Sequence, residues 1–459
     1  MRRAGGMTKP LRSSAGAFQN GRHSETCRGA GERGYSSTVT TAPNRPTPTP
    51  VGSVLLHVGP HKTGTTALQG ALWAARTALP RQGVRLAGRS RNPAAAVRAV
   101  TGQASPYADD GQTPPMRRWA RLAGEIRAAR EPRVVVSSEF FAWADSAAIR
   151  RIVEDLGEDR VHVAVTLRPL ARIVPSMWQQ NVQAGTVTTI DDWLKVVLDS
   201  QSGENRHTFW TLQRHDELIE RWAKVIGTDR VTAVVVDDRD HDVLMHAFED
   251  LLGLERGTLA PQVDWLNRSL TLPEAEAVRA FNVAFKERQL PRARHARLMR
   301  FGAAQLMKQR PPASEEARVV QPDWAASAIE GIQRDIVGAI RRSGVRIVGD
   351  LDRLIEPAAP AAPRKAGRSK SPASPADEIL VRPDAAAAMA MGILVAAGEA
   401  RPDRARFEIA EPVELLDVPT YQLAATVLLR TWRTGVRTVE RIVNRLKRPF
   451  AGAPPLVEP

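Results

Sequence analysis

Cysteine is almost absent from this sequence, with Cys27 as the only one among 459 residues. An intramolecular disulfide is therefore excluded, and the composition fits a reducing compartment. No run reaches the roughly 18 apolar residues that a membrane-spanning helix needs, and the nearest is the segment 385–397. The first residues are charged and lack the apolar core of a secretory signal. We therefore expect a cytoplasmic protein without a membrane span.

Several motifs that mark common kinds of site are also missing. The sequence has no H-E-x-x-H, C-x-x-C or EF-hand pattern, and His241 and His246 are not spaced as metal ligands. The dinucleotide pattern G-x-G-x-x-G occurs only at residues 29–34, where no β-rich run precedes it, so it does not mark a dinucleotide site. Aromatic residues are only 5% of the chain and are scattered along helical segments, which favours core positions over a base-stacking surface. We expect neither a bound metal nor specific recognition of nucleic acid.

Positive charge is concentrated at the two ends of the chain. The formal net charge is +15. Residues 1–52 and residues 430–448 each carry roughly six net positive charges, so the middle of the chain is only mildly basic. Contacts with anionic membranes or nucleic acid are therefore hypotheses about the two ends alone.

Composition divides the chain into four parts. Residues 1–52 are rich in Gly, Ser, Thr, Pro and Arg, which predicts a disordered basic tail. Their Arg- and Ser-rich composition also resembles an organelle transit peptide, but we favour the disordered tail. Residues 53–355 are predicted to form an α/β domain, residues 356–379 have the composition of a Pro/Ala-rich linker, and residues 380–459 are predicted to be a helical C-terminal region.

The α/β prediction depends on short, continuous apolar runs separated by helical patterns. Such runs occupy residues 53–58, 133–138, 161–167 and 231–236, which is typical of strands buried on both faces of a parallel sheet. The helical patterns cover residues 65–78, 116–130, 169–184, 214–226, 242–253, 273–309 and 323–343. This alternation predicts a parallel sheet with helices on both faces. Ligands of such sheets bind at the carboxyl ends of the strands.

The segment GPHKTGTT follows the first of these runs and precedes a helix. Gly59, Gly64 and Thr66 match the phosphate-binding pattern G-x-x-x-x-G-K-[ST], but Thr65 occupies the lysine position and Lys62 comes three residues early. Glycines let the backbone approach an anion, and the first N–H groups of a helix face it. We predict a phosphate-binding loop in which Lys62 lies on the crest and contacts a group that is transferred without a metal.

This loop resembles the 5′-phosphosulfate loop of the sulfotransferases that use 3′-phosphoadenylyl sulfate (PAPS), whose core is K-[TS]-G-T-[TS]. The resemblance implies that Lys62 contacts the oxygen that bridges phosphate and sulfate. It also implies that Thr63, Gly64, Thr65 and Thr66 cradle the 5′-phosphosulfate. PAPS as the co-substrate, the absence of a metal requirement and a P-loop nucleotide-kinase-like fold follow from the same resemblance.

A second match lies in VTLRPLARIVPS, where Arg168 directly follows a predicted strand and Ser176 comes eight residues later. The 3′-phosphate signature of the family has an Arg and a Ser at this spacing, so the resemblance implies that both bind the 3′-phosphate. A guanidinium binds phosphate through a planar fork, and we expect Pro175 in the first turn of a helix, with Ser176 beside the anion. Many relatives have Pro two residues after the Arg, whereas Pro169 follows it immediately here. The resemblance covers about residues 54–355.

Sulfuryl transfer also needs a base that accepts the proton of the acceptor. Glu139 follows the strand 133–138 on the binding side and is our first candidate, although a salt-bridged or helix-capping role fits the same position. His61, inside the loop, is the second candidate, and it can instead shape the loop or touch the donor. We interpret His57, within the first strand, as a core residue.

The predicted function is transfer of a sulfuryl group from PAPS to a hydroxyl or amine of a sugar, glycolipid or small molecule. The acceptor pocket is expected in two irregular, polar segments, residues 88–118 and 179–212, which offer Arg206 and His207 among others. One alternative is a P-loop kinase, which the missing lysine at Thr65 argues against. Another is a catalytically silent binding protein that attaches to membranes through its basic ends.

The segment 421–448 is predicted to be a basic amphipathic helix. Its apolar residues recur at spacings of three and four, and its arginines fall on the other faces. Such a helix can lie in an anionic membrane surface, which would make the enzyme peripheral to the membrane. Packing on the protein's own α/β domain and self-association are the alternatives that we favour.

Overall fold

A computed structural model of the chain describes residues 47–104, 112–240, 242–261, 268–355 and 379–400. Most of the predicted basic tail, nearly all of the linker and the predicted amphipathic helix at 421–448 therefore lie outside the described residues.

Six parallel strands form one sheet in the order β2-β3-β1-β4-β5-β6. The strands are β1 Ser53–His57, β2 Val84–Leu86, β3 Arg133–Ser137, β4 Val161–Leu167, β5 Val231–Val235 and β6 Arg346–Val348. β1 is central, and its Leu55 pairs with Val135 of β3 on one side and with His162 of β4 on the other. The four predicted strands are all present, whereas β2 and β6 were not predicted because each has only three residues.

Helices connect the strands and account for most of the remaining described residues. They are α1 Thr65–Ala75, α2 Ala94–Thr101, α3 Arg117–Ala128, α4 Ser146–Leu156, α5 Leu170–Gln183, α6 Ile190–Asp199, α7 Thr208–Gln213, α8 His215–Ile226, α9 Asp242–Leu252, α10 Leu272–Glu287, α11 Arg292–His295, a π-helix Ala296–Ala303, α12 Ala304–Gln309, α13 Ala326–Arg342 and α14 Pro383–Ala397. Short 3₁₀ turns span Leu79–Gln82, Glu139–Trp143, Thr228–Arg230, Asp323–Ala325 and Leu351–Leu354.

The sheet is covered on both faces. Successive strand residues point to opposite faces, so Leu56 of β1 joins a core with helices such as α5, through Trp178. Its neighbour Leu55 joins the other core, with Leu72 of α1 and Phe248 of α9. All five side chains are at most 1% exposed. The predicted fold class, a parallel α/β sheet with helices on both faces, is confirmed.

Two predictions about local structure are wrong. The segments 88–118 and 179–212 are not irregular throughout, because α2, α6 and α7 lie within them and bury their apolar faces. The helical run 273–309 is interrupted, because Pro291 follows α10 and the chain then passes through a π-helix. Proline has no N–H to continue a helix, which accounts for the first break.

The apolar segment 385–397 lies within α14, which packs against the π-helix and α12. Arg310 and Asp384 approach to 3.2 Å, and Arg382 and Glu315 approach to 2.9 Å, so ion pairs join the start of α14 to the segment after α12. Among the helices of the described residues, none is both long and apolar enough to cross a bilayer.

Candidate active site at the carboxyl edge of the sheet

Four neighbouring strands end at one edge of the sheet. β1 is followed by the loop that carries Lys62, β3 by Glu139, β4 by Arg168 and β5 by Asp238. Because β3, β1, β4 and β5 are consecutive in the sheet, these four segments are neighbours. The structure thus brings the predicted loop, base candidate and arginine to the edge where parallel α/β proteins bind ligands.

In the loop after β1, two residues that are separated by one have a left-handed backbone conformation. Lys62 has φ 74° and Gly64 has φ 88°, and Gly64 is the N-cap of α1. Glycine adopts this region freely, but for lysine it is uncommon and costs free energy that the surrounding structure must offset. Loops of this kind turn successive N–H groups towards one concave side, which suits an anion. The unpaired N–H groups at the start of α1 add to that surface.

Close packing fixes the base of the loop. A Cβ on Gly59 would lie 2.3 Å from Thr65 Oγ1 and 2.6 Å from His57 Nε2, so only glycine fits. His57 is fully buried, and its ring nitrogens lie 2.7 Å from Ser137 Oγ and 3.2 Å from Thr166 Oγ1. Burial lowers the pKa of His57 to about 3. The interpretation of His57 as a core residue is confirmed.

The three threonines of the loop have different surroundings. The Thr63 hydroxyl is buried, donates to the Pro60 carbonyl at 2.8 Å and lies 2.7 Å from Thr166 Oγ1, so it supports the loop from inside. Thr65 Oγ1 is buried, and no described residue offers it a hydrogen bond. Thr66 is exposed, and its carbonyl accepts a hydrogen bond from Arg91 Nη2. Thr65 therefore has the hydroxyl that lacks a partner.

Lys62 lies in a strongly cationic environment. Burial, together with the positive charges of Lys308, Arg300 and Arg168, lowers its pKa to about 7, while Glu139 acts in the opposite direction. A free amine is therefore a substantial part of the Lys62 population near neutral pH. An anion placed among these charges would favour the ammonium form.

Arg168 is held by neighbours on two strand ends. Its Nη2 and Nε donate to Asp238 Oδ2 at 2.7 and 3.2 Å, and its Nη1 donates to the Lys62 carbonyl at 3.2 Å. The guanidinium is thus fixed against the loop that carries Lys62. Arg172 Nε also approaches Asp238, at 3.9 Å.

The predicted position of Ser176 at a helix start is wrong. Pro169 is the N-cap of α5, and its carbonyl accepts hydrogen bonds from the N–H groups of Arg172 and Ile173. The helix therefore begins at Leu170, five residues before Pro175. Pro175 lies inside α5, and Ser176 follows it in the helix. Residues four apart share a helix face, which places Ser176 one turn beyond Arg172 on the same side.

Two amides orient Glu139, which begins a 3₁₀ turn. Gln69 Nε2 of α1 donates to Glu139 Oε2 at 3.2 Å, and Asn92 Nδ2 donates to the same oxygen at 2.8 Å. Within the part of the chain that the structure describes, no donor reaches Oε1. Glu139 is therefore neither salt-bridged nor a helix cap there, and one carboxylate oxygen is available to another group.

His61 precedes Lys62 in the loop and packs against Phe140. Its ring meets Phe140 edge-on at a centroid distance of 5.6 Å, and its carbonyl accepts from Gln213 Nε2 at 3.3 Å. Burial lowers the pKa of His61, and nearby cations act in the same direction while Glu139 opposes them. The imidazole is therefore neutral near pH 7 and able to accept a proton.

Other predicted contributors to the acceptor pocket have structural partners. Arg206 Nη1 and Nη2 donate to the two oxygens of Glu217 at 2.7 and 3.1 Å. His207 caps α7 by accepting the Phe209 N–H at 3.1 Å. These contacts hold the chain locally, and none of them joins Arg206 or His207 to the loop that carries Lys62.

Sequence reasoning missed several residues of the site. Asp238 had a usable signal, because it follows a predicted strand on the binding side. Asn92 had none, because its contact with Glu139 depends on two distant segments. Arg300 and Lys308 lie in the π-helix and α12, and π-helical turns are frequent at functional sites.

Across the described residues, no cluster of three or more His, Cys, Asp or Glu side chains has the arrangement of a metal site.

Comparison with known proteins gives a match to a solved structure but to no family model and no curated protein. No family model matches the chain, and no curated protein matches it. Among solved structures, the chain is similar to the crystal structure of a sulfotransferase from Alicyclobacillus acidocaldarius. The two are 15% identical with a TM-score of 0.34, and the match covers 51% of this chain and 94% of that one.

Proposed function

We propose that the protein transfers a sulfuryl group from PAPS to a hydroxyl or amine group of an acceptor. The observation that carries the proposal is the loop after β1. Its lysine, Lys62, is held in a left-handed conformation among other cations and comes just before the first N–H groups of α1. This arrangement suits a donor with several negative charges.

The residues of the loop fit the 5′-phosphosulfate portion of PAPS. Thr65 supplies a buried hydroxyl that meets no partner among the described residues. Gly64 and the start of α1 supply backbone N–H groups, which bind anions at helix N-termini. In the proposal, Thr63 supports the loop from inside, while Lys62, Gly64, Thr65 and Thr66 hold the donor.

The 3′-phosphate is assigned to Arg168 and Ser176. Arg168 already lies against the loop carbonyl and is oriented by Asp238. Ser176 shares a helix face with Arg172, which also approaches Asp238. In the proposal, the 3′-phosphate takes over part of the charge pairing that Asp238 provides in the free protein.

PAPS supplies an activated sulfuryl group, and its transfer leaves adenosine 3′,5′-bisphosphate. Lys62 stabilises negative charge on the bridging oxygen, because the donor's own charge restores its ammonium form. Glu139, oriented by Gln69 and Asn92, accepts the proton of the acceptor through Oε1. His61 is the second candidate for that role, since its imidazole is neutral near pH 7.

We propose a small molecule, carbohydrate or lipid as the acceptor. No metal is assigned a role, in keeping with a lysine that sits inside the loop rather than at its end. A kinase would instead need a cation at the place of Thr65, the position of the phosphate-binding lysine in ATP-binding loops.

A thermal-shift comparison tests the proposal. Adenosine 3′,5′-bisphosphate without metal should raise the melting temperature, because a ligand that binds only the folded state stabilises it. ATP with Mg²⁺ should have a smaller effect. Stabilisation by ATP with Mg²⁺ alone would contradict the sulfotransferase proposal and favour a kinase. Adenosine 5′-monophosphate serves as the control that lacks the 3′-phosphate.

A further inference from the structure

A second polar cleft lies at the β2 edge of the sheet, outside the loop that carries Lys62. Its volume is about 450 Å³, within the usual range for a small-molecule site. It is formed by α1, α3 and the chain from β2 to Arg89. The polar and aromatic side chains that line it are Trp73, Arg76, Arg85, Arg89, Arg121 and Glu125.

Positive charge in this cleft exceeds negative charge. Among the described residues, four arginines and one acidic residue, Glu125, line it. That carboxylate is already engaged, because Glu125 Oε1 accepts the Gly88 N–H at 3.2 Å and lies 3.6 Å from Arg85 Nη2. Arg85 also reaches Glu131, at 3.5 Å. The charge of Arg85 is therefore balanced by the protein itself.

The other arginines are less engaged. Arg76 lies over the Trp73 ring at 4.6 Å and donates to the Trp73 carbonyl at 2.9 Å, so its position is fixed, and no carboxylate of the described residues pairs with it. Within the described ranges, Arg89 and Arg121 form no hydrogen bond or ion pair, and both are exposed. Three cationic side chains from three separate elements thus line one cleft, and no described carboxylate forms an ion pair with them.

We propose that this cleft binds a ligand that carries two or more phosphate or sulfate ester groups close together. The guanidinium fork matches the oxygens of such esters and pairs with them through two parallel hydrogen bonds. Several esters on one ligand can each engage a different arginine. Both a soluble sugar ester and a lipid headgroup have this chemistry.

The cleft is close in sequence to the proposed active site. In the segment that follows β2, Arg89 lines the cleft and Arg91 donates to the Thr66 carbonyl. Asn92, the next residue, donates to Glu139. The anion-binding cleft and the base candidate are therefore connected by four consecutive residues, although the cleft does not depend on the proposed reaction.

The test is isothermal titration of the full-length protein with sucrose octasulfate, a soluble sulfated disaccharide. We expect saturable binding that Arg168→Ala, a change in the proposed donor site, leaves unchanged. Arg89→Glu and Arg121→Glu should each weaken it by about tenfold or more, because each removes a charged hydrogen bond and adds repulsion. Arg150→Glu is the matched control, since Arg150 is an exposed arginine of α4 outside the cleft.

A second arm distinguishes the source of the esters. Sedimentation with phosphatidylcholine vesicles that contain phosphatidylinositol 4-phosphate tests a lipid headgroup, with pure phosphatidylcholine vesicles as the control. Binding to either probe that Arg89→Glu and Arg121→Glu reduce, and Arg150→Glu does not, supports the cleft. Binding to neither probe would overturn it.

The outcome for the cleft is separate from that for the proposed function. Sucrose octasulfate binding that Arg168→Ala abolishes, and that Arg89→Glu and Arg121→Glu leave unchanged, would assign the anion to the loop and overturn the cleft. Failure of adenosine 3′,5′-bisphosphate to bind, with sucrose octasulfate binding intact, would overturn the proposed function alone.

Discussion

Raising the pH is expected to weaken the binding of adenosine 3′,5′-bisphosphate by neutralising Lys62. Burial and the charges of Lys308 and Arg300 lower the pKa of Lys62 to about 7 in the free protein. The fraction that carries a proton therefore falls from about one half at pH 7 to about one in a hundred at pH 9. The phosphate groups of the ligand lose their last protons near pH 6 and stay fully charged over this range.

The size of the effect follows from the value of one charged contact. A hydrogen bond to a charged group contributes about 1.5–3 kcal/mol, which corresponds to about 10- to 150-fold in affinity. Weighting the charged and neutral forms by their populations predicts that Kd rises about 5- to 30-fold between about pH 7 and pH 9. Kd must rise with pH rather than fall, because an anion binds better to the ammonium form of Lys62 and that form is lost as the pH rises.

Calorimetric titration across this range measures Kd directly. Lys62→Arg is the control, because guanidinium keeps its charge at all these pH values, so its Kd should be nearly constant. A wild-type Kd that changes by less than about twofold would refute the reasoning about Lys62. If Kd changed equally with pH in the wild type and in Lys62→Arg, the titration would be assigned to another group.

Three further substitutions test separate parts of the site. Arg168→Ala should weaken adenosine 3′,5′-bisphosphate by about 2–4 kcal/mol, since it removes a charged partner of the phosphate; an unchanged Kd would reject that role. Glu139→Gln keeps the shape but not the basicity, so kcat should fall at least about tenfold with donor Kd preserved, and normal turnover would transfer the role to His61. Gly59→Ala should abolish donor binding, because its Cβ would lie 2.3 Å from Thr65 Oγ1. Gly331→Ala, whose Cβ would meet no atom within 4 Å, is the control and should bind the donor normally.

The central strands could be predicted from sequence because they are buried on both faces. Continuous apolar runs mark β1, β3, β4 and β5, and all four lie inside the sheet. β2 and β6 occupy the edges and have three residues each, so their patterns are too short to separate from loops. Edge strands of this length are defined by their pairing with a neighbour rather than by their own sequence.

The residues of the candidate site also differ in whether the sequence alone could predict them. Lys62, Glu139 and Arg168 could be proposed because each follows a strand, and all parallel strands end at one edge. The partners that orient them could not, since Asn92 and Gln69 meet Glu139 only through the packing of distant segments. The place of Ser176 was misjudged because two prolines precede it, and Pro169 rather than Pro175 sets the start of α5.

The most direct test of the proposed sulfuryl transfer is incubation of the protein with labelled PAPS and a lipid or carbohydrate extract. Wild type is predicted to give a labelled, sulfated product together with adenosine 3′,5′-bisphosphate. Lys62→Ala should reduce the rate by about a hundredfold or more, because it removes a cation where negative charge develops, while its affinity for the bisphosphate falls less, by about 5- to 75-fold at pH 7. Equal label transfer by wild type and Lys62→Ala, or no transfer by wild type to any fraction of the extracts, would contradict the account.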